Sequence, residues 1–137
     1  MLNIFTAAYE GKLFVVQQLV DRVSAAVKEK DEDDRTPLHW AASGGQGDIV
    51  DYLISKDASI NVVDDSGWSP LMIAASAGHI ASAESLVKHG ADVFLQNETG
   101  QTALHYAASK NRIEIVKLLL ANKAQPNQIN NIKQTPL

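Results

Sequence analysis

The sequence predicts an all-α solenoid of helix-turn-helix pairs with projecting β-turn fingers, and two observations carry that prediction. Thr36, Ser69, Thr102 and Thr135 stand 33 residues apart, and a fixed period of this size signals stacked repeats. Each of these residues opens a copy of one motif: Thr36-Pro37-Leu38-His39-Trp40-Ala41-Ala42, Ser69-Pro70-Leu71-Met72-Ile73-Ala74-Ala75, Thr102-Ala103-Leu104-His105-Tyr106-Ala107-Ala108, and Thr135-Pro136-Leu137. The period divides a single domain of 137 residues into a degenerate first repeat at 1–34, repeats at about 35–67, 68–100 and 101–133, and the start of a fifth at 134–137.

Taken in order, each element has a local reason. In the first repeat, Ile4, Ala7, Ala8 and Gly11 occupy the places of Leu38, Ala41, Ala42 and Gly45 without a Thr-Pro start. Terminal repeats depart from consensus in this way because one of their faces meets water. Phe14, Val15, Val16, Leu19 and Val20 supply the apolar stripe of its second helix. The extra residue of a 34-residue first spacing is expected in the loop between Asp21 and Asp34. In the later repeats the Thr or Ser hydroxyl is placed to cap a helix, and Pro37, Pro70 and Pro136 follow at the first helical position. His39 and His105 lie where an imidazole can bond back to its cap. The paired alanines let neighbouring inner helices approach closely.

The outer helices follow from Ile49, Val50, Leu53 and Ile54 and from Ile115, Val116, Leu118 and Leu119. Ser82 and Ala83 take the Ile-Val places of the third repeat, which is therefore expected to be the weakest interior one. Asn111 replaces a turn glycine, as asparagine can because it tolerates positive φ. Where the motif stops at Leu137, either the chain is truncated or its tail is paired in some other way; truncation is the expectation, with an uncapped apolar end-face able to self-associate.

Composition narrows the function classes. The net charge of −4 argues against a nucleic-acid binder. With no cysteine, a disulfide framework and a thiolate zinc site are excluded. The N-terminal residues lack the pattern of a signal peptide and no apolar run is long enough to span a bilayer, so a soluble intracellular protein is expected. His39 and His105, two repeats apart, stand on the order of 20 Å from each other and cannot share a metal. The His39–Ser43 and His105–Ser109 pairs have no orienting acid, so packing is the reading for both. No enzyme activity and no cofactor are expected.

Function should then lie at the positions that the repeat leaves variable. Trp40, Ile73 and Tyr106 form one column facing the concave groove, where bulky side chains make interface hot spots. The alternative is that they cover the bases of the fingers. Arg35, Trp68, Gln101 and Gln134 form a second column, and Gly44, Ala77 and Lys110 a third. Arg35 and Lys110 are candidates to clamp acids on a partner. Asp33, Asp34, Asp64 and Asp65, expected at fingertips, form a negative stripe that steers basic residues.

The T-P-L-H-x-A-A motif at a 33-residue period resembles the ankyrin repeat. The strings Arg35–Ala41, Asp64–Gly78 and Leu104–Arg112 further resemble the gankyrin family, with Trp40, Trp68 and Lys110 outside the ankyrin consensus, and the resemblance runs in order along all 137 residues. It implies a chaperone of proteasome regulatory-particle assembly, cytoplasmic and nuclear, that grips the C-terminal domain of one AAA ATPase subunit. Arg35 and Lys110 would be the basic contacts, with Trp40, Trp68, Ile73 and Tyr106 beside them and the acidic fingertips facing basic residues. Gankyrins have seven repeats, which agrees with truncation. Fold alone does not fix the partner; an ankyrin adaptor or kinase inhibitor with another target, or the ankyrin segment of a larger enzyme, remain alternatives.

Overall fold

A computed structural model describes residues 3–137. Helices α1 (Ile4–Glu10) and α2 (Leu13–Arg22) lead into a short 3₁₀ helix (Ser24–Lys28), followed by α3 (Pro37–Ser43), α4 (Gly47–Ser55), α5 (Pro70–Ala77), α6 (Ile80–Lys88), α7 (Ala103–Ser109) and α8 (Ile113–Ala121). No strand occurs among the described residues. The odd-numbered helices stack α1 on α3, α3 on α5 and α5 on α7 as an inner layer, and each even-numbered helix packs behind its partner in an outer layer. This is the solenoid that the period predicts.

The inner helices begin where the motif says they should. The Thr36 hydroxyl accepts from the His39 amide at 3.4 Å while His39 Nδ1 accepts from the Thr36 amide at 3.1 Å, which closes a capping box. Thr102 and His105 repeat it at 3.3 and 3.1 Å. Ser69 caps one-sidedly, accepting from the Met72 amide, because a thioether returns no acceptor of comparable strength. The first repeat, which lacks Thr-Pro, is capped by Asn3, whose Oδ1 accepts from the Thr6 amide at 2.8 Å. Asn111 takes φ 58°, the left-handed geometry of Gly45 and Gly78 in the preceding repeats.

Between the layers lies one continuous apolar core. Ile4, Leu38, Leu71 and Leu104 are buried in register, each contributing roughly 1.5–3 kcal/mol by transfer from water. Ala7, Ala8, Ala41, Ala42, Ala74, Ala75 and Ala107 are fully enclosed between helices. At the first junction the approach is closer still: a Cβ on Gly44 would overlap the Tyr9 carbonyl oxygen, whereas Ala77 and Lys110 fit the same position later. In the third repeat Ser82 is fully buried and its hydroxyl has no hydrogen-bond partner. An isoleucine occupies that place in the neighbouring repeats, so α6 supplies less apolar volume.

Two features refine the sequence reading. The extra residue of the first repeat does not sit in an open loop; it is wound into the 3₁₀ helix, which turns Val27 into the core at 2% exposure. The finger turns also share a backbone demand. Asp34, Gly67, Gly100 and Lys133, spaced by 33 residues, all have positive φ, at 60°, 81°, 76° and 63°. A side chain there meets its own carbonyl, at a cost of roughly 1–2 kcal/mol for an ordinary residue and less for aspartate. Asp34→Gly is therefore expected to raise stability by about 0.5–1 kcal/mol, read as a higher midpoint in thermal unfolding.

Candidate protein-interaction surface

The fingers are built from one device used four times. Asp31 Oδ1 accepts from the amides of Asp33 and Arg35, both at 2.9 Å. Asp64 Oδ1 accepts from Ser66 and Trp68 at 3.0 and 2.9 Å, Asn97 Oδ1 from Thr99 and Gln101 at 3.1 and 3.0 Å, and Asn130 Oδ1 from Ile132 and Gln134 at 3.1 and 2.9 Å. A side-chain oxygen that collects two amides ahead of it holds the turn in place of a backbone carbonyl. The other side-chain atom braces something larger. Asp31 Oδ2 accepts from the Trp40 indole at 2.8 Å, and Asn97 Nδ2 donates to the Tyr106 hydroxyl at 2.6 Å. Burial disfavours the Asp31 carboxylate, but the amide of Arg35, the indole of Trp40, the amide of Asp33 and the Arg35 charge outweigh it and lower its pKa below 3.8.

Neighbouring fingers are tied to one another through the main chain. The Asp65 amide donates to the Asp33 carbonyl at 3.0 Å, Glu98 to Ser66 at 3.2 Å, and Asn131 to Thr99 at 2.9 Å. The capping histidines add a second tie. His39 Nε2 reaches the Trp68 carbonyl at 2.8 Å and His105 Nε2 the Gln134 carbonyl at 3.1 Å. Since Nδ1 accepts from the cap amide, Nε2 is the donor, so both rings bridge one repeat to the next.

Between the fingers and the inner helices runs a groove of about 430 Å³, with Arg35, Trp68, Ile73, Lys110 and Arg112 among its walls. Arg35 is half-buried; its Nε donates to Asp64 Oδ2 at 3.1 Å and its guanidinium lies 5.8 Å from the Trp40 ring centre. Lys110 is exposed and makes no ion pair among the described residues. Trp68 stacks on Tyr106 with centroids 4.3 Å apart, and Tyr9 meets Trp40 edge-on at 6.0 Å. Aromatic side chains from four repeats thus line the inner face.

Several expected surface residues hold the scaffold instead. Asp64 is 6% exposed and is a turn fastener paired to Arg35, not a fingertip acid. Asp33, Asp34 and Asp65 are exposed, as expected of fingertips. Ile73 is buried at 8%, so it floors the groove without projecting from it. Trp40 and Tyr106 are half-buried with their polar ends bonded to Asp31 and Asn97, which means that they cover the finger bases while presenting an aromatic edge. Arg112, which sequence reasoning missed, brings a third cation and donates through Nη2 to the Ser76 carbonyl at 3.2 Å. Among the described residues, no group of three or more His, Asp or Glu side chains is placed to hold a metal. No helix among the described residues is long and apolar enough to cross a membrane.

The family model for ankyrin repeats (3 copies) matches residues 4–97 and 60–130. The chain is 48% identical over 44 residues to the 26S proteasome non-ATPase regulatory subunit 10 of Dictyostelium discoideum, covering 32% of the chain and 19% of that protein. It is 41% identical over 60 residues to the human protein of the same name, covering 44% of the chain and 26% of the relative. Human ankyrin repeat domain-containing protein 49 is 40% identical over 57 residues, covering 42% and 24%. These matched stretches span about a quarter or less of the relatives' lengths, narrower than the full-length resemblance drawn from the motifs. With period, caps, fingers and family model in agreement, the chain belongs to the ankyrin-repeat family, and part of it is similar to proteasome regulatory subunit 10.

Proposed function

We propose that the chain is a non-catalytic interaction module that holds the C-terminal domain of a proteasome AAA ATPase subunit during assembly of the regulatory particle, in the cytoplasm and nucleus. The observation that carries the reading is the groove itself. Arg35, Lys110 and Arg112 converge beside Trp68, with the acids Asp33, Asp34 and Asp65 exposed on the adjoining fingers. A surface with cations in its walls and acids on its rim selects a partner of complementary, mixed charge, and such complementarity sets encounter rate and register. The similarity to proteasome subunit 10 supports the choice of partner.

Calorimetric titration of the isolated ATPase C-terminal domain tests it. Lys110→Glu is the clean probe, because Lys110 is unpaired, whereas reversing Arg35 would also strand the buried Asp64. The variant is expected to bind at least about tenfold more weakly with an unchanged circular dichroism spectrum. Absence of binding by the unmodified chain would overturn the choice of partner.

A further inference from the structure

The junctions between repeats are not equally made. With each finger counted with the inner helix that follows it, bridges between the second and third repeats run from the fingers to the outer helices. They comprise Asp65 amide to Asp33 carbonyl, Arg35 to Asp64, His39 to the Trp68 carbonyl, the Asp92 amide to Asn61 Oδ1 at 2.8 Å, and His89 to Asp51 at 3.1 Å. Between the third and fourth, Met72 stands where His39 and His105 make their bridges, so the Gln101 carbonyl receives no imidazole. What remains there is the Glu98–Ser66 backbone bond, the Arg112–Ser76 bond, Gln128 on the Phe94 carbonyl at 3.3 Å, Gln96 on the Ile129 carbonyl at 3.0 Å, and the Trp68–Tyr106 stack. Outer helices α4 and α6 pack broadly, whereas α6 and α8 touch little. The two side-chain polar atoms buried without a partner among the described residues, Ser82 Oγ and Arg112 Nε, lie one on each side of this same junction.

Buried polar atoms without partners lose little when a surface opens, and few bridges must break for it to do so. We propose that the junction between the third and fourth repeats is a hinge, about which the fourth repeat moves as a rigid unit relative to the first three. The groove straddles this junction, with Arg35 and Trp68 on one side and Lys110 and Arg112 on the other. Hinge motion therefore changes the spacing of its cations and lets the groove close on a partner. That consequence rests on the groove being the binding surface, whereas the mobility of the junction does not.

Two equivalent amides make an internal comparison. Asp65 and Glu98 donate the same finger-to-finger bond at the two junctions. In residue-resolved hydrogen exchange of the free chain, the Glu98 amide is expected to exchange at least about tenfold faster than that of Asp65. The amide of Arg112, bonded to the Ala107 carbonyl within the fourth repeat, should stay protected to the level of Asp65. Met72→His, which restores the missing bridge to the Gln101 carbonyl, should slow Glu98 exchange about fivefold. Equal protection of Asp65 and Glu98 overturns the hinge. So does exchange of Arg112 together with Glu98, which signifies fraying of the fourth repeat instead of its rigid motion. The free chain is used throughout, so failure of the ATPase titration leaves this result standing.

Discussion

Asp64→Ala is expected to cost about 3 kcal/mol of unfolding free energy and Asp64→Asn only about 1. The alanine removes three contacts at once. The Ser66 and Trp68 amides lose their shared acceptor, and Arg35 Nε loses its carboxylate. Breaking a charge pair whose acid is buried costs roughly 3–5 kcal/mol when the remaining charge is also buried. The Arg35 side chain keeps 35% exposure, so water recovers part of that cost. Asparagine preserves Oδ1 as the turn acceptor, the arrangement already present at Asn97 and Asn130, and gives up the ion pair with Arg35, because its Nδ2 cannot accept from Nε. Urea unfolding followed by circular dichroism reads both values. Equal losses in the two variants would place the stability in the ion pair and not in the turn.

His39→Met should cost about 2 kcal/mol at pH 7.5, and that difference should shrink as the pH falls. Methionine fits the site, as Met72 shows, but it neither accepts from the Thr36 amide nor donates to the Trp68 carbonyl, and each such bond is worth about 1 kcal/mol. Burial is the main influence on the imidazole and lowers its pKa below 6.5. The Trp68 carbonyl and the charges of Asp64 and Asp31 oppose it, while the Arg35 charge adds to it. The unfolded chain therefore takes up a proton before the folded one does. Stability from this residue is complete above pH 6.5 and falls through the interval between 6.5 and the lowered folded value, by no more than about 1.4 kcal/mol per pH unit. Other titrating groups cancel in the difference between the two proteins. Denaturant midpoints for both at pH 7.5, 6 and 5 supply the check, and a difference that stays constant would mean that His39 titrates alike in both states.

The fold was legible because its determinants are local and recur. Caps, prolines, alanine pairs and apolar stripes act within a few residues of one another, and the 33-residue period repeats the evidence. The role of Thr36 and His39 could be stated before any helix was seen. The site was less legible, because it is made where repeats meet. Asp64 reads as one acid in a run, and only stacking brings it against Arg35, 29 residues earlier. The fastener column of Asp31, Asp64, Asn97 and Asn130 was present in the period, but the change from Asp to Asn and its position among other acids made it look like charge instead of a turn device. Arg112 aligns with Gln46 and His79, three unlike side chains, so no pattern announced it; yet Gln46 reaches the Tyr9 carbonyl and Arg112 that of Ser76, the same reach one and three repeats along.

The way in which the fingers are fastened bears on how such a surface can change its partner. The tip side chains of Glu32, Asp33, Asp65 and Glu98 are exposed, while the turns beneath them are held by Asp or Asn oxygens and backbone amides. Most rim positions can therefore be rewritten one at a time without loss of the fold. Arg35 is the exception, since it both lines the groove and neutralises a buried acid in the next finger. A mutational path to a new specificity that passes through position 35 must change position 64 as well, and the viable intermediate is the one that alters Asp64 first, to asparagine.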